Sequence, residues 1–316
     1  MKMDEAKSGS KKDRLSIFFA FAAIYIIWGS TYLAILIGLS GLPPFLMSAI
    51  RFLVAGLLLY GWCVFKGKQQ PDISSLQKNT LYGIFMLVGG TVSVTWAEQY
   101  LPSSLAAIIV SSLPFWFVVL DKKQWQFYFS NKFIIAGLIL GFAGVALLVG
   151  FGSTGYSSNL GTGNQLTGIL VILTGGLAWT IGSLYSKYYP AKTSLLINAA
   201  IQLLSAGVFC MVVSLFAGEW RNFSFAAIKT SSWLAVLYLI IMGSLIAYLS
   251  FLYLLKSRPA AQVSTYVYVN PVVALLLGTW LANESIGLLK IIALTIILSG
   301  VVLVNLSKYK IRQPEL

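Results

Sequence analysis

Histidine is absent from this chain of 316 residues, and acid is scarce, with 9 Asp and Glu against 22 Lys and Arg. Only one carboxylate, Glu98, stands inside an apolar segment, so paired carboxylates, Ser–His pairs and metal-ligand clusters have no raw material. The two cysteines, Cys63 and Cys210, each fall in the middle of an apolar run, where small-residue packing is the ordinary role and redox or zinc chemistry is not. An enzyme, a cofactor and a metal are therefore not expected. The glycine-rich stretch "GSTGYSSNLGTGNQ" at 152–165 lacks the Lys-Ser/Thr ending of a phosphate loop, so nucleotide binding is not expected either. Charge of either sign is thin: 10% of residues are charged, against about a quarter in soluble domains.

What the chain has instead is hydrocarbon: 58% of residues are hydrophobic and the mean hydropathy is +0.84. Apolar runs of the ~20 residues that cross a bilayer core recur along the whole length. Ten helices are expected, near 16–38, 44–65, 80–100, 104–121, 132–151, 166–187, 194–217, 232–255, 260–281 and 288–307. Runs such as "GLILGFAGVALLVGF" are apolar on every side, which excludes the alternation of a membrane β-barrel and leaves an all-α integral membrane protein. The basic N-terminus lacks a small-residue cleavage site after its apolar stretch, so the first span is expected to be retained.

The surplus of 13 positive charges flanks apolar segments and reports topology, with membrane lipid as a partner and nucleic acid not. With the N-terminus inside, the inner segments hold Lys2, Lys7, Lys11, Lys12 and Arg14, then Lys66, Lys68, Lys78, Lys122, Lys123 and Lys132. Lys187, Lys192, Lys256, Arg258, Lys308, Lys310 and Arg312 fall on the same side, leaving Arg221, Lys229 and Lys290 outside. Both termini are therefore expected in the cytoplasm.

The chain also repeats itself. "AIRFLVAG" at 49–56 matches "AIQLLSAG" at 200–207, and the same offset of 151 places Trp28 on Trp179. Pro102 and Pro114 fall on Pro259 and Pro271 at an offset of 157, and Gly144-Val145 on Gly300-Val301 at 156. The expected division is a tail at 1–15, a five-helix unit at 16–151, an outer loop at 152–165, a second unit at 166–307 and a tail at 308–316. Five is odd, so the second unit enters the membrane from the opposite side, an inverted repeat of the kind built into secondary transporters.

"WGSTYLA", "RFLVAG", "WAEQYLPSSLAA" and "PVVALLLGTWLANESI", set in ten helices arranged as five plus five, resemble the EamA family of the drug/metabolite transporter superfamily. The resemblance runs from the first helix to the last. It implies export of amino acids or other small metabolites across a bacterial inner membrane, driven by an ion or substrate gradient. A channel, a non-transporting sensor or an importer of the same fold is the competing reading, and a homo-oligomer is compatible with the family.

Candidate site residues are those that break the apolar pattern near the midplane. Trp28 and Trp179 each stand beside a Gly-Ser pair, with Ser30 and Ser183, and near a tyrosine, Tyr32 and Tyr185. Two matched tryptophans at mid-depth serve either helix packing or an aromatic cavity wall. Pro114 and Pro271 bend matched helices and free a carbonyl one turn earlier, which Ser111, Ser112 or Asn270 can satisfy, or use to meet a substrate. Tyr266 and Tyr268 point to different sides, so at most one faces a cavity. Tyr248 and Trp96 complete the substrate-binding set.

Arg51 and Glu98 are candidates for gating or coupling, with the two prolines. Arg51 costs about 3 kcal/mol in a helix unless paired or wetted, so it binds helix-end carbonyls, an acid or substrate. Gln202 is its counterpart in the second unit. Glu98 is either an interfacial acid paired with Arg51 or a carboxylate that takes up and releases a proton as its surroundings dry and wet. Gly137, Gly141 and Gly144 have the spacing of a close helix contact or a dimer face.

Overall fold

The computed structural model describes residues 11–101, 106, 109–152, 162–221, 223–282 and 288–306; Pro102, most of the 152–165 loop, residues 1–10 of the N-terminal tail and the tail at 308–316 lie outside the described residues. Among the described residues every regular element is helical. The elements are α1 (Lys11–Leu39), α2 (Pro44–Phe65), α3 (Ile73–Ala97), α4 (Leu113–Leu120), α5 (Trp125–Ser130) and α6 (Lys132–Gly152). There follow α7 (Thr162–Tyr188), α8 (Leu195–Phe216), α9 (Thr230–Ser257), α10 (Ala260–Val263), α11 (Tyr266–Ala282) and α12 (Leu288–Leu306).

Six of these, α1, α2, α3, α7, α8 and α9, are long and apolar enough to cross a membrane, and the α5–α6 pair, bent by 93°, makes a seventh candidate span. Large apolar side chains such as Phe18, Leu57, Val208 and Leu298 stand exposed on the outside of the bundle, the side that hydrocarbon solvates. The multi-pass, all-helical character expected from composition is thus present. Helix ends shift by a few residues. α3 begins at Ile73 rather than near Thr80, because the Asp72 carboxylate caps it by accepting from the Ser75 N–H at 2.9 Å.

Local chemistry at the ends of α2 and α8 is duplicated. Both helices are 22 residues long, and both ends stand 151 residues apart. Each is followed by a glycine at positive φ, Gly67 at 63° and Gly218 at 70°. In this left-handed position a glycine N–H turns back onto a late carbonyl, Val64 and Leu215 respectively, and ends the helix. Pro44 starts α2 because its missing N–H is one the first turn would leave unpaired anyway.

α2 and α8 lie against each other along their length, and the contact is reciprocal. A Cβ on Gly56 would stand 2.8 Å from the side chain of Leu204, and a Cβ on Gly207 2.8 Å from that of Leu53. Leu53 and Leu204 are matched positions, as are the glycines, so one contact occurs twice. α6 and α12 pack as closely, with the Cβ site of Gly137 2.6 Å from the Gly300 carbonyl and that of Gly300 2.6 Å from the Gly141 amide. The glycine face of α6 is thereby covered from within the chain, which takes it out of consideration as a dimer face.

Two further irregularities match. Nine residues of α3, Ile84–Val92, and nine of α9, Leu239–Ala247, are wound as π-helix, a form rare except near functional sites. Helix breaks also recur: α4 starts at Leu113 just before Pro114, after a turn at 111–112, and a turn at 264–265 separates α10 from α11. Hydroxyls take up the carbonyls at these breaks, Ser112 donating to Ile109, Ser264 to Ala261 and Thr265 to Gln262. The second break precedes Pro271, which is accommodated inside α11.

Candidate functional site

The helices leave a partly open cavity with about 770 Å³ of empty space, mouth included, between both units of the chain. Helical periodicity decides which residues reach it. α1 contributes Trp28, Thr31, Tyr32 and Ile35, all on one face at the i, i+3, i+4, i+7 spacing. α7 contributes Ile172, Gly176 and Trp179, and α11 contributes Tyr266 and Asn270. The π segments add Leu87, Gly90 and Thr91 from α3 and Gly243 and Ser244 from α9, with Tyr248 a turn further on.

One end of the cavity is closed by aromatic rings. Trp28 meets Tyr266 at 4.6 Å, Phe251 at 5.3 Å and Trp179 at 5.7 Å between ring centroids, and Trp179 meets Phe251 at 5.1 Å. Edge-to-face and tilted arrangements of this kind place ring edges on ring faces, and each such pair contributes ~0.5–1.5 kcal/mol beyond burial. The Trp28 indole N–H points to the Gly243 carbonyl at 3.4 Å, while the Trp179 N–H is buried and has no hydrogen-bond partner among the described residues. Gly90 permits Trp179 to lie where it does, since a Cβ there would stand 2.5 Å from the indole.

Arg51 is the one charged side chain that lines the cavity among the described residues. It is 5% exposed, and its Nε donates to the Ser244 hydroxyl at 2.8 Å. Gly243 makes room for the guanidinium, with one terminal nitrogen 2.8 Å from where a Cβ would be. Its counterpart Gln202 is also buried, and stands in a chain of amides and hydroxyls: Asn79 donates to Asn198, Gln202 donates to Asn79, and the Tyr248 hydroxyl donates to Gln202 at 2.6 Å. The matched positions thus each serve α9, one through Ser244 and one through Tyr248.

Glu98 does not pair with Arg51. It is 7% exposed, and neither carboxylate oxygen has a hydrogen-bond partner, so the interfacial ion pair is replaced by a buried acid without compensation. Other sequence candidates fall away from the cavity. Ser30, two residues from Trp28, turns aside and bonds the Tyr238 hydroxyl at 2.6 Å. Tyr185, six residues from Trp179, is 54% exposed against Tyr189. Trp96 meets Tyr100 in a tilted arrangement, ring centroids 4.8 Å apart, and lines a surface groove that also holds Glu219. Ser183 is buried one turn beyond Trp179, behind the ring cluster, and Ser111 is buried in the α4 break. Tyr268 faces away and donates to the Leu138 carbonyl at 3.1 Å.

A second buried acid, Asp121, closes α4 at the lysine-rich end of the bundle. It accepts hydrogen bonds from the hydroxyls of Tyr128 at 2.7 Å and Tyr188 at 2.5 Å, the latter from α7. Lys123 stands over the rings of Tyr188 and Tyr189, and Lys187 donates to the Arg258 carbonyl. Nothing in the spacing around Asp121 announces this cluster, because its members come from three separate segments. Gly243 and Ser244 did carry a signal: they are a third Gly-Ser pair in an apolar run, after 29–30 and 182–183.

An apolar helical bundle with a solute-sized, aromatic-walled cavity at its centre defines a multi-pass membrane protein built around an internal binding space. The chain belongs to the EamA-like transporter family, whose model matches residues 14–150 and again 166–306. It is similar to the uncharacterized inner membrane transporter YedA of Escherichia coli (strain K12), at 37% identity over 296 residues, covering 93% of this chain and 92% of that one. The uncharacterized transporter YvbV of Bacillus subtilis (strain 168) is 27% identical over 305 residues, with 93% and 92% covered. A protein crystal structure shares the fold with a TM-score of 0.74 at 20% identity, covering 92% of this chain and 98% of its own.

Proposed function

We propose that the protein is a secondary transporter of the bacterial inner membrane that exports small metabolites such as amino acids through the central cavity. Ten spans, arranged as two inverted five-helix units with both termini in the cytoplasm, alternate access to that cavity. The observation that carries the reading is the meeting of matched residues of the two units at the cavity floor, Trp28 on Trp179, with the doubled Gly56–Leu204 and Gly207–Leu53 contact beside it. Two units related in this way rock against each other about a midplane site.

Trp28, Tyr32, Trp179, Tyr248, Tyr266 and Asn270 contact substrate, and the turns at 111–112 and 264–265, which precede Pro114 and Pro271, let α4 and α11 move as half-helices. Glu98 couples transport to protons: dry, it holds one, and when the neighbouring helices part and wet it, it lets the proton go. Substrate transfer and proton transfer are then two consequences of one movement.

The test is the growth medium around bacteria that express the chain, compared with empty-vector cells and with a Trp28→Ala, Trp179→Ala variant at equal membrane abundance. Export predicts that one or a few metabolites accumulate outside with the intact chain alone. Depletion of a metabolite from the medium turns the direction to import. No change across amino acids, bases and other small metabolites sinks transport and leaves a channel or sensor.

A further inference from the structure

Among the described residues the cavity wall holds one cation, Arg51, and no acid. Arg51 has no acid within ion-pair distance among those residues, Glu98 included, and the Ser244 hydroxyl, which accepts from its Nε, is its one hydrogen-bond partner among them. A buried charge without a partner is costly, and proteins keep such groups where a ligand completes them. One terminal nitrogen lies beside Gly243, whose missing side chain opens the space it occupies, and the buried guanidinium borders the cavity there.

Two more groups of the same wall are unfinished. The buried Trp179 N–H offers a donor and the buried Asn270 side-chain oxygen an acceptor, and neither has a partner. A cavity with a fixed cation, an idle donor and aromatic faces is complementary to a flat or apolar body ending in an anionic group that accepts two or more hydrogen bonds.

We infer that Arg51 is the specificity-determining residue of the cavity and that the solute it selects carries a carboxylate, bound through the guanidinium next to the rings of Trp28 and Trp179. The inference rests on the cavity being the transport site. It assigns the arginine of α2 to the solute, where its counterpart Gln202 is engaged by Asn79 and Tyr248. The duplicated frame therefore has one anion-binding half, and solute sits off the axis that relates the two units.

The test measures binding of three probes of one shape to the purified full-length chain in phosphatidylcholine nanodiscs at neutral pH, read by tryptophan fluorescence and by the shift in unfolding midpoint. The probes are 3-phenylpropionate, the neutral 3-phenylpropanamide and the cation phenethylamine. The acid is expected to bind at least about tenfold more tightly than the amide, with the amine weakest, since charge-assisted bonds are the stronger kind. In Arg51→Gln, which imports the residue native to the matched position, acid and amide are expected to bind alike. Equal binding of acid and amide to the wild type, or tighter binding of the amine, overturns the inference while leaving the cavity reading intact. Binding of none of the three overturns both. The wild-type comparison decides by itself should Arg51→Gln fail to fold, and an Arg51→Gln protein that folds and still prefers the acid transfers the preference away from Arg51.

Discussion

Trp28 and Trp179 stand 151 residues apart in the chain and edge to face in space, with ring centroids 5.7 Å apart and planes at 77°. Each also touches Phe251, so removing either indole opens a hole in the cavity floor and leaves the other ring unsupported. Trp28→Ala and Trp179→Ala are each expected to lower export at least tenfold at equal abundance, and to cost ~3–5 kcal/mol of stability as large core truncations do. Trp28→Phe keeps most of the ring and loses one long hydrogen bond, so it is expected to retain folding and a measurable part of export. Efflux from preloaded cells compares the four proteins, and normal efflux from both alanine variants would remove the floor from the mechanism.

On the proposed coupling role, Glu98 separates driving force from passage. Glu98→Gln keeps the shape and presents the neutral side chain permanently. The expected outcome is a protein that still exchanges solute across a liposome membrane with no gradient but no longer accumulates it when a proton gradient is imposed. Undiminished proton-driven accumulation would place the coupling group elsewhere.

Close approach makes glycines unequal. A Cβ on Gly83 would stand 2.4 Å from the Gln202 carbonyl oxygen, a backbone atom that cannot rotate away, whereas nothing lies within 4 Å of the site on Gly61. Gly83→Ala is expected to destabilise by about 1–3 kcal/mol as overpacking does, and Gly61→Ala to be neutral or slightly stabilising. Unfolding midpoints of the two variants in one detergent check the contrast.

Glu219 ties the loop after α8 to the start of α2, its carboxylate accepting from the N–H groups of Phe45 at 3.1 Å and Leu46 at 2.8 Å. Burial raises its carboxyl above the ordinary 4.5, and the two backbone bonds pull back only part of that rise. The folded state therefore holds this proton to higher pH than the unfolded chain, so its contribution to stability falls as pH climbs from the ordinary value through the raised one, then levels. Glu219→Gln is expected to lose that slope. Stability recorded across the acid range for both proteins checks it, and parallel curves would assign the slope to other groups.

Much of the bundle was legible from the sequence, because the length of an apolar run and the residues that punctuate it are local facts. The matched stretches "AIRFLVAG" and "AIQLLSAG" lie on α2 and α8, where Gly56 meets Leu204 and Gly207 meets Leu53. What a linear reading misses is rotation about each helix axis. Trp28, Tyr32, Trp179, Tyr248, Tyr266 and Asn270 line the cavity, while Ser30 and Tyr185, equally polar and equally near, are turned aside by 2 and 6 residues of helical phase. The π segments alter that phase again by an amount no apolar pattern announces. Asp121 and Tyr188 come together from distant segments, and Arg51 does not meet Glu98, although α2 begins on the side where α3 ends, because the guanidinium turns to Ser244 of α9.

The rings of Trp28, Phe251, Trp179 and Tyr266 meet edge on face or tilted beside the cavity. A membrane that stores energy as an ion gradient is drained by a single continuous file of water, at rates no carrier turnover approaches. Closely packed rings leave no room for such a file where they meet. Truncating them opens space that water can enter, and the first symptom in a growing cell is then loss of membrane voltage rather than loss of transport.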